Sequence, residues 1–425
     1  MAAAGQGAAL STPFRRFLLL ASLCLLFMIS QMLRSSVAVI APRLIADLGL
    51  AARDLGLLSA AFFIVFAAFQ LPVGIMIDRY GARLTICITM LAAVAGSWLF
   101  ALSENLADLA LARAFMGFGT ASVLMGSLIV VSRWYSLQRY GQLASILIAA
   151  GNIGGIMSTT PLAFGAETIG WRAVFWLIGF LTLVFIALGL WLVRDHPGPV
   201  RPEDRRRETL GQAIAGLGAV FANGQIRYVF AISLVSYSSL MVVLGLWGGP
   251  YLHDVHGLDA VAAGNVLLTM SLAMIAGALV YGHADRLGWP KKRLVHIGGV
   301  FVIGIYGYLA LRPDSPSLAE VWALFLVLGF GGAYGVVTMS HGRMIFPDHL
   351  AGRGITTLNL ALMGGVALMQ ILTGLIVGLI APEGAANAPA GAYRAIFAFV
   401  ALCTLAAQLY YARAAEPGRD GNNAA

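Results

Sequence analysis

The amino-acid sequence predicts an all-α membrane protein with twelve transmembrane helices arranged as two six-helix bundles. Its 425 residues are 60% hydrophobic and only 11% charged, whereas a water-soluble domain carries about a quarter charged residues. The mean hydropathy of +0.85 also excludes intrinsic disorder, which requires low hydrophobicity. Long apolar runs and one central hydrophilic stretch, residues 194–211, complete the basis for this prediction.

The spans are predicted from apolar runs that are long enough to cross a bilayer, which takes about 20 residues of α-helix. Each run ends at charged or turn-forming residues, and most connections between runs are short. The twelve predicted spans lie near residues 17–40, 56–77, 84–102, 108–131, 142–165, 172–193, 226–250, 261–283, 294–311, 318–340, 355–381 and 393–412.

Basic residues predict the orientation of the chain, because short cytoplasmic loops are enriched in Lys and Arg. Of the 27 Lys and Arg residues, 20 fall on the side of the N-terminus, five on the opposite side, and Arg34 and Arg113 inside spans. Both termini are therefore expected in the cytoplasm, with the spans in a bacterial inner membrane. Topology and anionic lipids account for the net charge of +8, so no nucleic-acid partner is expected.

The chain divides into two similar halves, an N-terminal bundle at 1–193 and a C-terminal bundle at 212–425, joined by a cytoplasmic linker at 194–211. The loop after span 2 contains Asp-Arg-x-Gly at residues 78–81, and the loop after span 8 repeats it at residues 285–288, 207 residues later. Internal repeats are usual in secondary transporters, whose substrate site lies at the repeat interface near mid-membrane.

Three motifs resemble those of the major facilitator superfamily, and the resemblance covers essentially the whole chain. Span 4 carries R-x-x-x-G-x-G from Arg113, and span 6 begins with G-W-R-x-x-F from Gly170. The loop pattern G-x-x-x-D-R-x-G-x-R is matched by Gly74, Asp78, Arg79, Gly81 and Arg83. The resemblance implies the two-bundle fold of that family, in which the bundles rock about a central site.

The loop motif predicts a cytoplasmic gate that holds this side of the protein closed. Its members are Gly74, Asp78, Arg79, Gly81 and Arg83, with Asp285 and Arg286 in the second half. A carboxylate just after a helix C-terminus is unfavourable against the helix dipole, so Asp78 is expected to pair with a cation. Tyr281 replaces the first glycine of the second copy, so the two loops are not expected to act equally. The alternative is that these charges only fix the topology.

Arg34 is the first candidate for substrate contact, because an arginine inside a span is unfavourable and a functional candidate by default. Gln31 lies on the same helical face, and a guanidinium binds carboxylate or phosphate with fork geometry. The string QMLRSSVAVIAPRLIADLGL resembles the first span of the anion:cation symporter branch, although Leu33 replaces the acidic residue found there. Alternatively, Arg34 lies near the outer headgroups and snorkels, or pairs with a helix end.

Other polar or small residues inside the spans are further candidates. The family resemblance implies that Arg113 acts in coupling or substrate binding, with structural pairing to a neighbouring span as the alternative. The remaining candidates for a cavity lining are Tyr237 on span 7, Tyr334 on span 10, and Asn359 and Gln370 on span 11. Such residues also bridge helices by hydrogen bonds. Gly151 and Gly155 form a G-x-x-x-G on span 5, which predicts a close helix contact.

The coupling ion is left open by the sequence. No Asp or Glu falls in the middle of a predicted span, which puts proton coupling through a buried carboxylate in doubt. His341 titrates near neutrality, but it lies at the cytoplasmic end of span 10, where a structural contact is favoured.

These observations predict a secondary transporter that moves a small, anionic solute by alternating access, with or without a co-transported ion. The alternatives are an exporter of amphipathic compounds or lipids in the same fold, and a non-transporting membrane sensor or scaffold. An enzyme is not expected, because the spans hold no acid–base pair or Ser/His/Asp set. All three cysteines fall inside spans, so no disulfide, metal or cofactor is expected. The expected partners are the small-molecule substrate and the lipid bilayer, around a monomer.

Overall fold

The computed structural model describes residues 12–193, 195, 211, 224–312, 314–345, 351–382 and 384–416, and the regular structure in these residues is helical. The helices of the first half are α1 (Thr12–Ser35), α2 (Val37–Leu48), α3 (Asp54–Ala68), α4 (Gln70–Tyr80), α5 (Ala82–Leu102), α6 (Leu106–Thr120), α7 (Val123–Trp134), α8 (Leu137–Met157), α9 (Thr160–Gly165) and α10 (Trp171–Leu192). Those of the second half are α11 (Ile226–Val242), α12 (Gly248–His256), α13 (Ala260–Arg286), α14 (Lys291–Leu311), α15 (Leu318–Gly332), α16 (Gly335–Ile345), α17 (Ala351–Ile380) and α18 (Ala390–Tyr411). Two π-helical segments, Ala166–Gly170 and Val243–Trp247, precede α10 and α12. The predicted linker lies outside the described residues, apart from Asp195 and Gly211.

These helices form twelve spans. By length and hydropathy, ten helical stretches could cross a membrane, or eleven when α3 and α4, bent by 44°, count as one span. The longest stretch, Arg139–Leu192, has 54 residues, whereas about 20 suffice for one crossing. It contains predicted spans 5 and 6 and is interrupted at Gly170, where φ is 83°. Because twelve is even, the beginning of span 1 and the end of span 12 lie on one side, here called the termini face, and the opposite side is the far face.

Corresponding spans of the two halves are broken within the membrane. In the first half, span 1 is interrupted at Ser36, and span 4 at Ala121 and Ser122. In the second half, span 7 carries a π-helical segment between α11 and α12, and span 10 is interrupted at Ala333 and Tyr334. Discontinuous spans surround the binding site in many secondary transporters. A substrate site is therefore expected between these four spans.

Three interruptions of the helical spans lie next to prolines, which lack a backbone N–H donor. Proline has no N–H, so the carbonyl group four residues earlier loses its helical hydrogen bond. The pairs are Pro72 with Ala68 at the bend of span 2, Pro161 with Met157 at the break of span 5, and Pro250 with Leu246 in the π-helical segment of span 7. The regular α-helix of each of these spans is therefore interrupted where the sequence removes a hydrogen bond.

Close backbone contacts between the two bundles lie in the half of the molecule nearer the far face. A Cβ atom added to Gly249 of α12 would lie 1.8 Å from the carbonyl oxygen of Ala38 in α2. One added to Gly56 of α3 would lie 2.6 Å from the Cα atom of Gly374 in α17. Only glycine permits backbones to approach so closely, so these contacts hold the two bundles together near the far face.

Span 5 packs on span 1 through glycines, as predicted, but not through both glycines of the predicted motif. Added Cβ atoms would lie 2.2 Å from the ring of Phe27 at Gly151 and 2.0 Å from the carbonyl oxygen of Met28 at Gly154. At Gly155, by contrast, no atom lies within 4 Å of the added position. The close approach of α1 and α8 therefore depends on Gly151 and Gly154.

This difference makes Gly154 and Gly155 a matched pair for substitution. Gly154→Leu forces a side chain against the backbone of α1, and we expect it to destabilise the protein by about 1–3 kcal/mol or more. Gly155→Leu gains the same helix propensity without the clash, so its apparent unfolding temperature in detergent should match or exceed that of the unmodified protein. Equal destabilisation in both variants would contradict this packing.

Candidate functional site

A small cavity with a mixed polar and apolar lining lies between the two bundles, beside the broken spans. Its polar lining includes Gln31, Ser35 and Asn152 from the first bundle and Tyr237 and Ser271 from the second. The cavity measures about 40 Å³, counted as the space open to the centre of a water-sized sphere, which is enough for ordered water. Oε1 of Gln31 is buried without a hydrogen-bond partner. Two predicted candidates, Gln31 and Tyr237, are thus brought together across the bundle interface.

A stripe of residues on α8 leads from the termini face to this cavity. Gln142, Ser145 and Ala149 are exposed and are spaced three and four residues apart, which places them on one helical face. Asn152 and Gly155 continue the stripe and line the cavity. The stripe therefore connects the termini end of α8 to the cavity lining.

Arg34 lies near the middle of span 1, because the 12-residue helix α2 adds about 18 Å between it and the far face. The side chain is buried, with 8% of its surface exposed, and its Cζ atom lies 4.8 Å from the centre of the Phe66 ring. In the part of the chain that the structure describes, its guanidinium makes no ion pair and no hydrogen bond, and Nε is buried. This depth does not fit a side chain that snorkels to the headgroups.

Arg113 is fully buried and has protein partners. Its Nη1 atom donates to the Leu33 carbonyl oxygen at 2.6 Å, and Nη2 donates to the Arg34 carbonyl oxygen at 3.3 Å. Both carbonyls belong to the last turn of α1, where helix interruption leaves acceptors to be satisfied. The contacts of Arg113 are therefore those of a structural cap that also fixes the backbone at Arg34.

Two phenylalanines on α3, which the sequence analysis did not single out, connect the arginines. The rings of Phe62 and Phe66 are stacked, with centroids 6.0 Å apart, and the Arg113 Cζ atom lies 4.6 Å from the Phe62 ring centre. The aromatic faces stabilise the cations without neutralising their charge. The ion pairs found among the described residues lie at span ends and in loops, so the centre of the first bundle carries uncompensated positive charge.

The two candidates on span 11 bridge helices. The Nδ2 atom of Asn359 donates to Oε1 of Gln70 at 3.1 Å, which joins the two bundles. Gln370 is fully buried, and its Nε2 atom donates to the Met241 carbonyl oxygen at 3.0 Å. Both residues are thus engaged in hydrogen bonds between spans.

The candidates on span 10 face the interior of their own bundle. Tyr334 is fully buried and packs against Gly298 of α14, where an added Cβ atom would lie 2.5 Å from the ring. His341 is fully buried as well. Its Nδ1 atom lies 2.5 Å from the Tyr411 hydroxyl, and Nε2 lies 3.1 Å from the Ala415 carbonyl oxygen. Both ring nitrogens are occupied, which fits the structural contact favoured by the sequence.

The gate residues of the first half contact the end of span 6. The backbone N–H of Arg83, near the start of α5, donates to Oδ1 of Asp195 at 2.8 Å. The Arg83 side chain bonds the Leu190 carbonyl oxygen. Gly81 has φ of 91°, and an added Cβ atom would lie 2.2 Å from Oδ2 of Asp195. Glycine is therefore required where Asp195 caps α5.

The second half repeats this arrangement with different residues. Glu416, which follows span 12, accepts a hydrogen bond from the Lys291 backbone N–H at 2.6 Å, as Asp195 does after span 6. Asp285 pairs with the Lys291 ammonium and accepts from the Ser340 hydroxyl at 2.7 Å. These contacts join loops within one bundle, and a gate between the bundles stays a prediction.

Of the remaining gate residues, Asp78, Arg79 and Arg286 lie at the termini ends of α4 and α13, and Gly74 lies in the middle of α4. Asp78 is half-buried, and Arg79 and Arg286 are exposed. No atom lies within 4 Å of a Cβ added to Gly74. Gly74 therefore faces open space in this conformation.

A cavity with polar side chains between two six-span halves with broken central helices is the architecture of a secondary transporter. The chain belongs to the Major Facilitator Superfamily, whose family model matches residues 23–368. The predicted family and fold are confirmed, and with them a transporter rather than an enzyme.

Individual proteins are similar to this chain at lower identity. The membrane sensor protein UhpC of Salmonella typhimurium is 28% identical over 318 residues, 70% of this chain and 70% of that protein. The hexuronate transporter of Bacillus subtilis is 24% identical over 319 residues, 69% of this chain and 73% of that protein. A crystal structure of a bacterial homologue of the human lysosomal transporter Spinster has a TM-score of 0.74 at 16% identity, over 94% of this chain and 97% of that chain.

Proposed function

We propose that the protein carries a small hydrophilic anion across the membrane by alternating access, with Arg34 as the anion ligand. The observation that supports this most strongly is the buried guanidinium of Arg34, which has neither ion pair nor hydrogen bond among the described residues. A buried charge without a partner is unfavourable, and a guanidinium binds a carboxylate in a bidentate manner that lysine does not reproduce. A substrate anion would supply the missing partner.

The lining of the central cavity supports a hydrophilic solute. Hydroxyl and amide groups, among them those of Gln31, Asn152 and Tyr237, face the cavity beside apolar side chains such as Met241 and Leu244, and Tyr237 is the one aromatic residue in this described lining. An exporter of amphipathic compounds needs an apolar, aromatic-rich cavity and is less well supported. At about 40 Å³ the cavity is smaller than an organic anion, so we expect the bundles to move apart there as the anion enters.

We infer that the termini face is cytoplasmic, in a bacterial inner membrane, because most of the basic loop residues lie on that side. The closed far face and the stripe on α8 then correspond to an inward-facing state. The opposite state requires Ala38 to separate from Gly249 and the bundles to approach each other on the cytoplasmic side.

A membrane sensor is the second candidate, because one relative, UhpC, carries that name. In a sensor the anion would bind at Arg34 without crossing the membrane. Uptake into proteoliposomes of labelled sugar acids, dicarboxylates, neutral sugars and a hydrophobic cation distinguishes the candidates. We expect uptake of at least one carboxylate above that of empty liposomes. Carboxylate binding without uptake would favour the sensor, and uptake of only the hydrophobic cation would favour the exporter.

A further inference from the structure

Span 2 changes its surroundings at a bend next to Gln70. The outer segment α3 packs against both α6 of its own bundle and α17 of the second bundle, whereas α4 packs mainly against α5 of its own bundle. The two segments are bent by 44° relative to each other. Gln70 is the first residue after this bend and is buried, with 5% of its surface exposed. It therefore lies where the extensive contact of span 2 with the second bundle ends.

The side-chain amide of Gln70 bonds both bundles at once. Its Nε2 atom donates to the Ala121 carbonyl oxygen at 3.4 Å, at the break of span 4 in the first bundle. Its Oε1 atom accepts from the Asn359 Nδ2 atom of the second bundle at 3.1 Å. A buried amide is unfavourable unless it is hydrogen-bonded, so these partners fix both its position and its orientation.

We propose that Gln70 is a positioning residue that holds the two bundles in the arrangement with the far face closed. This proposal rests on the alternating access proposed above, but not on the identity of the substrate. Phe66 lies one helical turn before Gln70 and carries the guanidinium of Arg34. If a bound ligand moved Arg34, Phe66 would move with it. Gln70 follows Phe66 closely in span 2, so this movement would strain the hydrogen bond between Gln70 and Asn359.

The consequence is a shift in the population of the two states. Gln70→Leu keeps the size of the side chain but removes both hydrogen bonds. From the net contribution of a hydrogen bond between neutral groups, we expect the population with an open far face to rise roughly three- to tenfold. Asn359→Leu should have the same effect. The double variant should show no further increase, because both substitutions remove one shared bond.

A thiol at the seam between the bundles reports this population. Ala52 is buried, with 2% of its surface exposed, and its backbone N–H bonds the Ala385 carbonyl oxygen of the second bundle at 3.0 Å. The variant Ala52→Cys in proteoliposomes is labelled from the far face with a membrane-impermeant maleimide. The protein without this substitution gives the background from its own cysteines.

Two further variants serve as controls. Gln408 is also a buried glutamine, with 6% of its surface exposed, but its Nε2 atom bonds the Val295 carbonyl oxygen within the second bundle. Gln408→Leu should therefore leave the labelling rate unchanged. Gly249→Leu places a side chain against Ala38 and should force the bundles apart at the far face. This variant should therefore raise the rate of maleimide labelling.

The proposal is supported if Gln70→Leu and Asn359→Leu each raise the labelling rate roughly three- to tenfold without adding to each other. It is overturned if Gly249→Leu raises the rate and Gln70→Leu does not, or if the two leucine variants add. It is also overturned if Gln408→Leu acts as strongly as Gln70→Leu. If neither Gly249→Leu nor Gln70→Leu changes the labelling rate, both the role of Gln70 and the proposed movement of the bundles are contradicted.

Discussion

Arg34→Gln is expected to abolish anion-dependent behaviour while leaving the ligand-free protein at least as stable as before. The substitution removes the charge-assisted hydrogen bonds to the substrate, which weakens anion binding by about 2–3 kcal/mol, or roughly 30- to 150-fold. It also removes a buried charge that has no ion-pair or hydrogen-bond partner among the described residues. The apparent unfolding temperature without ligand should therefore stay equal or rise.

The matched control is Arg43→Gln. Arg43 lies on the far face, where it pairs with Glu167 at 3.6 Å and its side chain is 45% exposed. An exposed pair contributes at most about 1 kcal/mol, so anion uptake should survive this substitution. Arg34→Lys should not restore uptake, because lysine lacks the fork geometry. Anion affinity within about threefold of the unmodified protein in Arg34→Gln would rule out Arg34 as the ligand.

Arg113→Gln is expected to change stability in the opposite direction. It removes two hydrogen bonds from a charged donor, to the carbonyl oxygens of Leu33 and Arg34, and leaves both acceptors buried. The expected loss is about 2–4 kcal/mol, seen as a lower apparent unfolding temperature. Anion affinity should fall less than in Arg34→Gln, because Arg113 acts by holding the backbone that carries Arg34.

The comparison of the two arginine variants separates structural from binding roles. Both are measured by thermal unfolding in the same detergent, with and without anion. If Arg113→Gln kept the unfolding temperature and lost anion binding as completely as Arg34→Gln, Arg113 would be a second ligand rather than a cap. Arg113→Lys, which retains one donor group, should lie between Arg113→Gln and the unmodified protein.

Some of the architecture is encoded in patterns that act locally. Apolar runs of membrane-spanning length predicted the twelve spans, and the loop repeat predicted two halves. Pro72 and Pro250 also mark the bend of span 2 and the π-helical segment of span 7, because each removes a helical donor. Ser36 carries no such signal, since neither glycine nor proline stands there. The length of α2, and with it the depth of Arg34, followed only from the structure.

The rotation of each helix was harder to predict. Gln31 and Arg34 were expected on one face, but Gln31 lines the central cavity and Arg34 points to Phe66. In a soluble protein the apolar face of a helix identifies the core, whereas lipid is as apolar as a core. For the same reason Phe62 and Phe66 could not be told from lipid-facing phenylalanines. Tyr334 faces its own bundle, which its spacing along span 10 does not show.

The central claim is that the partner of the Arg34 guanidinium is a substrate anion. The most direct measurement is thermal unfolding of the purified protein with pairs of ligands that differ only in charge, each a hydroxycarboxylate and its primary amide. We predict that at least one carboxylate raises the unfolding temperature, that its amide does not, and that Arg34→Gln removes the difference. Stabilisation by the amides as strong as that by the carboxylates, or by carboxylates equally in Arg34→Gln, would contradict the claim.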